Sequence, residues 1–102
     1  MHKRTKATDI TPKVREIVKA RDKQKCVYCG TSYAIQLAHI FVNRSHGGLG
    51  IEQNLVCLCI EHHMAMDNSR EEKAKPIREH CERYLKERYE IDVESMRYKK
   101  YV

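Results

Sequence analysis

The chain of 102 residues predicts a small α+β domain held together by a staple, and three observations predict it. Donor residues recur at matched spacing, with Cys26 and Cys29 followed thirty residues later by Cys59 and His62. Apolar residues are scarce, at 41% with one Phe and no Trp, so a single core is marginal and needs support. Periodicity is helical near both ends and strand-like in the middle. Two donors two residues apart, repeated after a hairpin-sized insert, close a tetrahedral zinc site of the Cys3His kind. Structural zinc supplies on the order of 10 kcal/mol or more to such small folds. His62 is the expected fourth ligand, and His63 is the alternative; if His63 took the zinc, it would be lost to any other chemistry.

Residues 1–10 are polar and charged without apolar periodicity and read as a basic flexible arm, which leaves 11–102 as one domain. Thr11-Pro12 is an N-cap followed by proline at the first helical position, and Val14, Ile17 and Val18 share a face, so a helix is predicted over 12–22. A polar connector, Asp22 to Lys25, leads to a knuckle at Cys26–Gly30, where Gly30 can adopt positive φ. Ile35 to Val42 predicts a strand containing His39. Asn43 to Gly50 is a glycine-rich loop, and Glu52 to Cys59 predicts a second strand. A helix is expected from His62, placing His63 and Asp67 on one face. Ser69-Arg70-Glu71-Glu72 fits a capping box, and Ile77, Cys81, Tyr84, Leu85 and Arg88 form an apolar stripe for a last helix reaching Tyr89. The segment from Ile91 is less legible.

Twenty Lys and Arg against fourteen Asp and Glu give a net charge of +6. The pI of about 9.1 points to a polyanionic partner. Lys3 and Arg4 at one end and Lys99 and Lys100 at the other are either phosphate-contacting arms or solubilising tails. Five cysteines at metal spacing argue against a disulfide framework and for a reducing compartment. With no signal-like start and no apolar run near the ~20 residues of a membrane span, the expectation is a soluble, cytoplasmic protein. A thiol redox role for Cys26 and Cys29 is disfavoured by the second donor pair and by the lack of a thioredoxin-like βαβ pattern.

The order His39, Asn54, His63, framed by the two donor pairs, resembles the HNH endonuclease family. The blocks Leu37-Ala38-His39-Ile40, Arg44 through Asn54, and Leu58-Cys59-Ile60-Glu61-His62-His63 look like small phage and prophage HNH proteins, and the likeness spans residues 10 to 102. It implies a ββα-metal (treble-clef-like) unit with an N-terminal helix and a helical tail. It further implies DNA phosphodiester hydrolysis with one Mg2+-like, Mn2+ or Ni2+ ion. On this resemblance His39 is the general base, and an imidazole of near-neutral pKa suits that task. His63 is a ligand of the catalytic ion, and Asp67 is either a second ligand or a turn-capping residue. Asn54 orients the histidine or touches the metal, the former being preferred. A bacterial host, a phage packaging or DNA-processing role, and a monomer or weak dimer are implied by the same likeness.

Two departures stand out. Many relatives carry Asp or His before the catalytic histidine, whereas Ala38 cannot coordinate; His62 stands where relatives usually have a cysteine. The rival reading is therefore a zinc-stabilised DNA-binding module without cleavage. Arg44 and His46 are candidate phosphate contacts, with solvated loop positions as the alternative. Cys57 and Cys81 read as core thiols, His2 and His80 as ordinary surface positions.

Overall fold

The computed structural model describes residues 8–68 and 72–98. Helix α1 (Pro12–Arg21) leads to strands β1 (Ile35–His39) and β2 (Leu55–Cys59), which run directly into α2 (Ile60–Asp67) and then α3 (Ala74–Lys86). Short 3-10 turns occupy Arg44–His46, Glu52–Asn54 and Val93–Met96. The α+β class expected from the sequence is present, as a two-stranded sheet with helices on both faces.

The strands pair antiparallel from Ile35 opposite Cys59 to His39 opposite Leu55. Side chains of a strand alternate between faces. Leu37, Leu55 and Cys57 therefore meet Val18 of α1, while Ala38, Val56 and Leu58 meet Met66 of α2 and Ile77, Cys81 and Leu85 of α3. Burial on both faces explains why β2 is apolar at every position and fully buried.

Thr11 caps α1 through its side chain, accepting from Val14 N at 3.2 Å, with Pro12 following as expected. β1 stops at His39, short of the expected Val42. The physical reason is Asn54, whose Oδ1 accepts from Phe41 N at 2.8 Å and Val42 N at 3.2 Å and so removes those donors from any ladder. Glu52 to Asn54 form a turn rather than the start of β2. α2 begins two residues before His62. Ser69 to Glu71 of the expected capping box lie outside the described residues, and α3 begins at Ala74 with Pro76 in its first turn, where a missing N–H is harmless. It ends at Lys86; Glu87 to Tyr89 continue as a turn, with Tyr89 N donating to Leu85 O at 2.9 Å.

The polar connector contains a residue that does not behave as one. Asp22 is buried and accepts from Arg21 Nε at 2.7 Å, Cys57 N at 2.8 Å and Tyr84 Oη at 2.5 Å. Arg21 donates onward to Glu52 O at 2.8 Å and Leu55 O at 2.6 Å, so one ion pair ties α1 to β2 and α3. The packed part also begins before Thr11: Thr8 is buried, and a Cβ on Gly50 would lie 2.3 Å from Asp9 O, so Thr8 and Asp9 sit directly against the loop. At the other end Met96 is buried, and Leu49 N donates to Met96 O and Tyr98 N to Gly47 O, closing the tail onto the glycine loop. Among the described residues no helix is long and apolar enough to cross a membrane.

Candidate metal centre and adjoining cavity

The two donor pairs meet at the end of the hairpin where Ile35 faces Cys59. Gly30, at φ 82°, turns the knuckle back, and Gly30 N donates to Cys26 O at 2.8 Å. Cys59 closes β2 and is also the N-cap of α2, which carries His62 one turn on. The ligand atoms of Cys26, Cys29, Cys59 and His62 all lie within 4.8 Å of one another. Cys29 Sγ is 3.8 Å from Cys59 Sγ, and Cys59 Sγ is 3.1 Å from His62 Nδ1. Zinc–sulfur bonds of about 2.3 Å at tetrahedral angles require a sulfur–sulfur edge of roughly 3.8 Å, so the donor set fits a metal ion such as zinc. His62, not His63, belongs to this group.

His80 packs against the same centre, contrary to its expected surface role. Its Nε2 lies 2.8 Å from Val27 O, and Tyr28 meets the rings of both His62 and His80 edge-on, with centroids 4.9 and 5.2 Å apart. The sequence carried no signal for this, because the three residues are brought together only when α3 docks on the knuckle. Cys57 and Cys81 are buried apart from the donor group, and burial pushes each thiol up to about 12, as inert core thiols require.

α2 runs back along the hairpin and carries His63 and Asp67 away from the metal centre. His63 Nδ1 lies 2.7 Å from Gln36 Oε1. With an amide oxygen as acceptor, Nδ1 donates in this bond, and Nε2 lies 3.4 Å from Asp67 Oδ2. Gln36 was missed in the sequence; its only signal is strand alternation, which places it on the face that α2 covers.

A cavity of about 790 Å3 opens beside this pair, and His39, Arg44, His63, Asp67, Lys75 and Arg78 contribute polar lining. His39 Nε2 is buried without a hydrogen-bond partner. Its ring hydrogen-bonds instead to the backbone of Thr8, so the other nitrogen is the one engaged. Burial lowers the His39 pKa below its ordinary value, helped by the charges of Arg44 and His63 and opposed by the Thr8 bond and Asp67. The neutral form of His39 is thus favoured, and its ring lines the cavity with Nε2 itself buried.

Asn54 does not line the cavity. It is fully buried, and its Nδ2 donates to Val42 O at 3.0 Å and Leu49 O at 3.1 Å while its Oδ1 takes the two N–H groups named above. All of its hydrogen-bonding capacity goes to the backbone of the loop that follows His39. Arg44 lines the cavity and pairs with Asp9; His46 is exposed and lies off the cavity. Ala38 is fully buried in the core. Lys3, Arg4, Lys99 and Lys100 lie outside the described residues. Arg78 and Lys75, which were not singled out in the sequence, reach the cavity from the first turns of α3.

Compared with protein-family models, with curated proteins and with solved structures, the chain matches none.

Proposed function

We infer that the chain is a zinc-stapled HNH endonuclease hydrolysing DNA phosphodiesters, with His39 as general base. The observation that supports this most is the unpartnered Nε2 of His39, buried in the cavity that His63 and Asp67 also line. A buried polar atom without a partner is unfavourable unless something else meets it, and a water admitted from the adjoining cavity would be the natural partner. His39 Nε2 would take a proton from that water. The hydroxide so formed adds to phosphorus, the P–O3′ bond breaks, and the 3′-oxygen leaves with its electron pair and takes a proton from solvent, giving 5′-phosphate and 3′-hydroxyl ends.

His63 Nε2 and Asp67, an imidazole and a carboxylate one helical turn apart, fit a divalent ion bound at two positions with the rest open. When bound, such an ion would stabilise negative charge on the phosphoryl group and on the departing oxygen. Gln36 would keep His63 in the required tautomer, and Asn54 would hold the backbone beyond His39 in place.

A second reading, a DNA-binding module without cleavage, draws on Ala38, whose buried methyl supplies no donor next to His39. Plasmid nicking separates the two. Wild type and His39→Ala, cleared of adventitious divalent ions, are incubated with Mg2+, Mn2+ or Ni2+. Nicking by wild type with a loss of about 10²- to 10⁴-fold in the variant is expected. Absence of nicking by wild type in all three metals would sink the nuclease reading and leave the binding module. A bacterial cytoplasm and a phage or prophage origin accompany the nuclease reading by family resemblance.

A further inference from the structure

Three cations line the cavity, and they differ in what neutralises them. Arg44 pairs with Asp9. Lys75 lies 4.0 Å from Glu79 on an exposed helix face. Arg78, half-buried, has no carboxylate partner among the described residues. Its Nη1 donates to Ile40 O, the carbonyl directly after His39, so the guanidinium is anchored to the backbone that carries the proposed base. A guanidinium has five N–H donors in a planar fork, and one bond to a carbonyl leaves the others for a second acceptor. A cation that is half-buried, anchored and unneutralised beside an open cavity favours an anion there.

We propose that Arg78 is the phosphate-gripping residue of this cavity, donating from its free N–H groups to a non-bridging oxygen of the DNA phosphodiester that faces His39. The proposal rests on the nuclease reading for the identity of the anion. It adds a role for α3, which lies outside the strand–strand–helix unit that supplies His39, His63 and Asp67. Arg78 would fix the phosphorus relative to Nε2 of His39, because the same guanidinium holds Ile40 O. Asp9 already pairs with Arg44, whereas Arg78 meets no carboxylate among the described residues.

The test combines binding and nicking for wild type, Arg78→Gln and Arg78→Lys, with thermal melts of all three. Affinity for a short duplex labelled with a fluorophore is measured without added divalent ion between about 50 and 200 mM KCl, where each phosphate contact contributes roughly one to the slope of log K against log salt. Arg78→Gln is expected to reduce that slope by about 1, weaken binding about 10-fold and depress nicking further. Arg78→Lys keeps the charge and the slope but loses the fork, and its nicking should fall roughly 10-fold at an unchanged melting temperature. A merely structural bond to Ile40 O would lower the melting temperature and leave the slope alone; a wild-type slope in a folded Arg78→Gln protein overturns the assignment. Where the glutamine variant does not fold, wild-type nicking by Arg78→Lys overturns it instead. Wild type that binds duplex without nicking overturns the nuclease reading only, since the salt slope still decides Arg78; wild type that does not bind duplex overturns both.

Discussion

The two donor-rich regions of this small domain share a helix and differ in how completely their polar atoms are satisfied. Around Cys26, Cys29, Cys59 and His62 four ligand atoms close on one another, and Tyr28 packs edge-on against the rings of His62 and His80. Around His39, His63 and Asp67 the groups are spread over an open cavity, and Nε2 of His39 meets nothing. Closed coordination stabilises a fold, whereas open positions are what substrates and waters need. His62 and His63, adjacent in sequence, fall on opposite sides of that division because successive residues of a helix project about 100° apart. One imidazole joins the donor cluster and its neighbour lines the cavity.

Breaking the closed region should have the largest effect. If the cluster holds zinc, Cys29→Ser or chelation is expected to remove most of the folding free energy, on the order of 10 kcal/mol, seen as loss of the cooperative transition in far-ultraviolet circular dichroism. His63→Ala should melt close to wild type, since His63 contributes nothing to the donor cluster. Equal collapse of the two variants would erase the distinction between the regions.

Asn54 links the regions, because it sits where β2 begins and its side chain holds the loop beyond His39. Asn54→Ala removes the side-chain partner of two N–H groups and two carbonyls, those of Val42 buried and those of Phe41 and Leu49 partly so. A loss of about 3 kcal/mol in urea unfolding is expected, with nicking reduced beyond what the unfolded fraction explains. Gln36→Ala should be milder and confined to the open region. It frees the His63 ring, and the divalent-ion concentration giving half-maximal nicking should rise about 10-fold with the melt unchanged.

The smallest effect is on pH. A general base must be neutral to accept a proton, and the His39 pKa lies below the ordinary 6.5, chiefly through burial. Activity should therefore rise as pH increases through a midpoint below 6.5 and be flat above it. Arg44→Gln removes a cation that pushes this pKa down, so the midpoint should move to higher pH. A midpoint above 6.5 in wild type would show that another group limits the rate.

Much of the fold was legible locally. Thr11-Pro12 begins α1, Gly30 takes the predicted positive φ, and the apolar stripe of Ile77, Cys81 and Leu85 is the buried face of α3. These features depend on neighbours within one or two turns. The Cys-x-x-Cys and Cys-x-x-His spacings likewise carried the donor cluster, because each pair sits within a single turn. Asp22 was misjudged as connector and His80 as a surface position, and Gln36 and Arg78 were overlooked, for one shared reason: each acts on a partner at least 27 residues away in the chain.

The sequence by itself determined which residue types could pair with a metal, where α1 starts and which face of α3 is apolar. Spacing already favoured His62 over His63 as the partner of the cysteines, and the way α2 leaves β2 brings His62 into the group. Tertiary structure alone decided that Asn54 turns to the backbone, and that α3 docks with Arg78 against the carbonyl after His39. Spacing within a turn is set by bond geometry, but which long-range partner meets a side chain is set by how the packed layers come together.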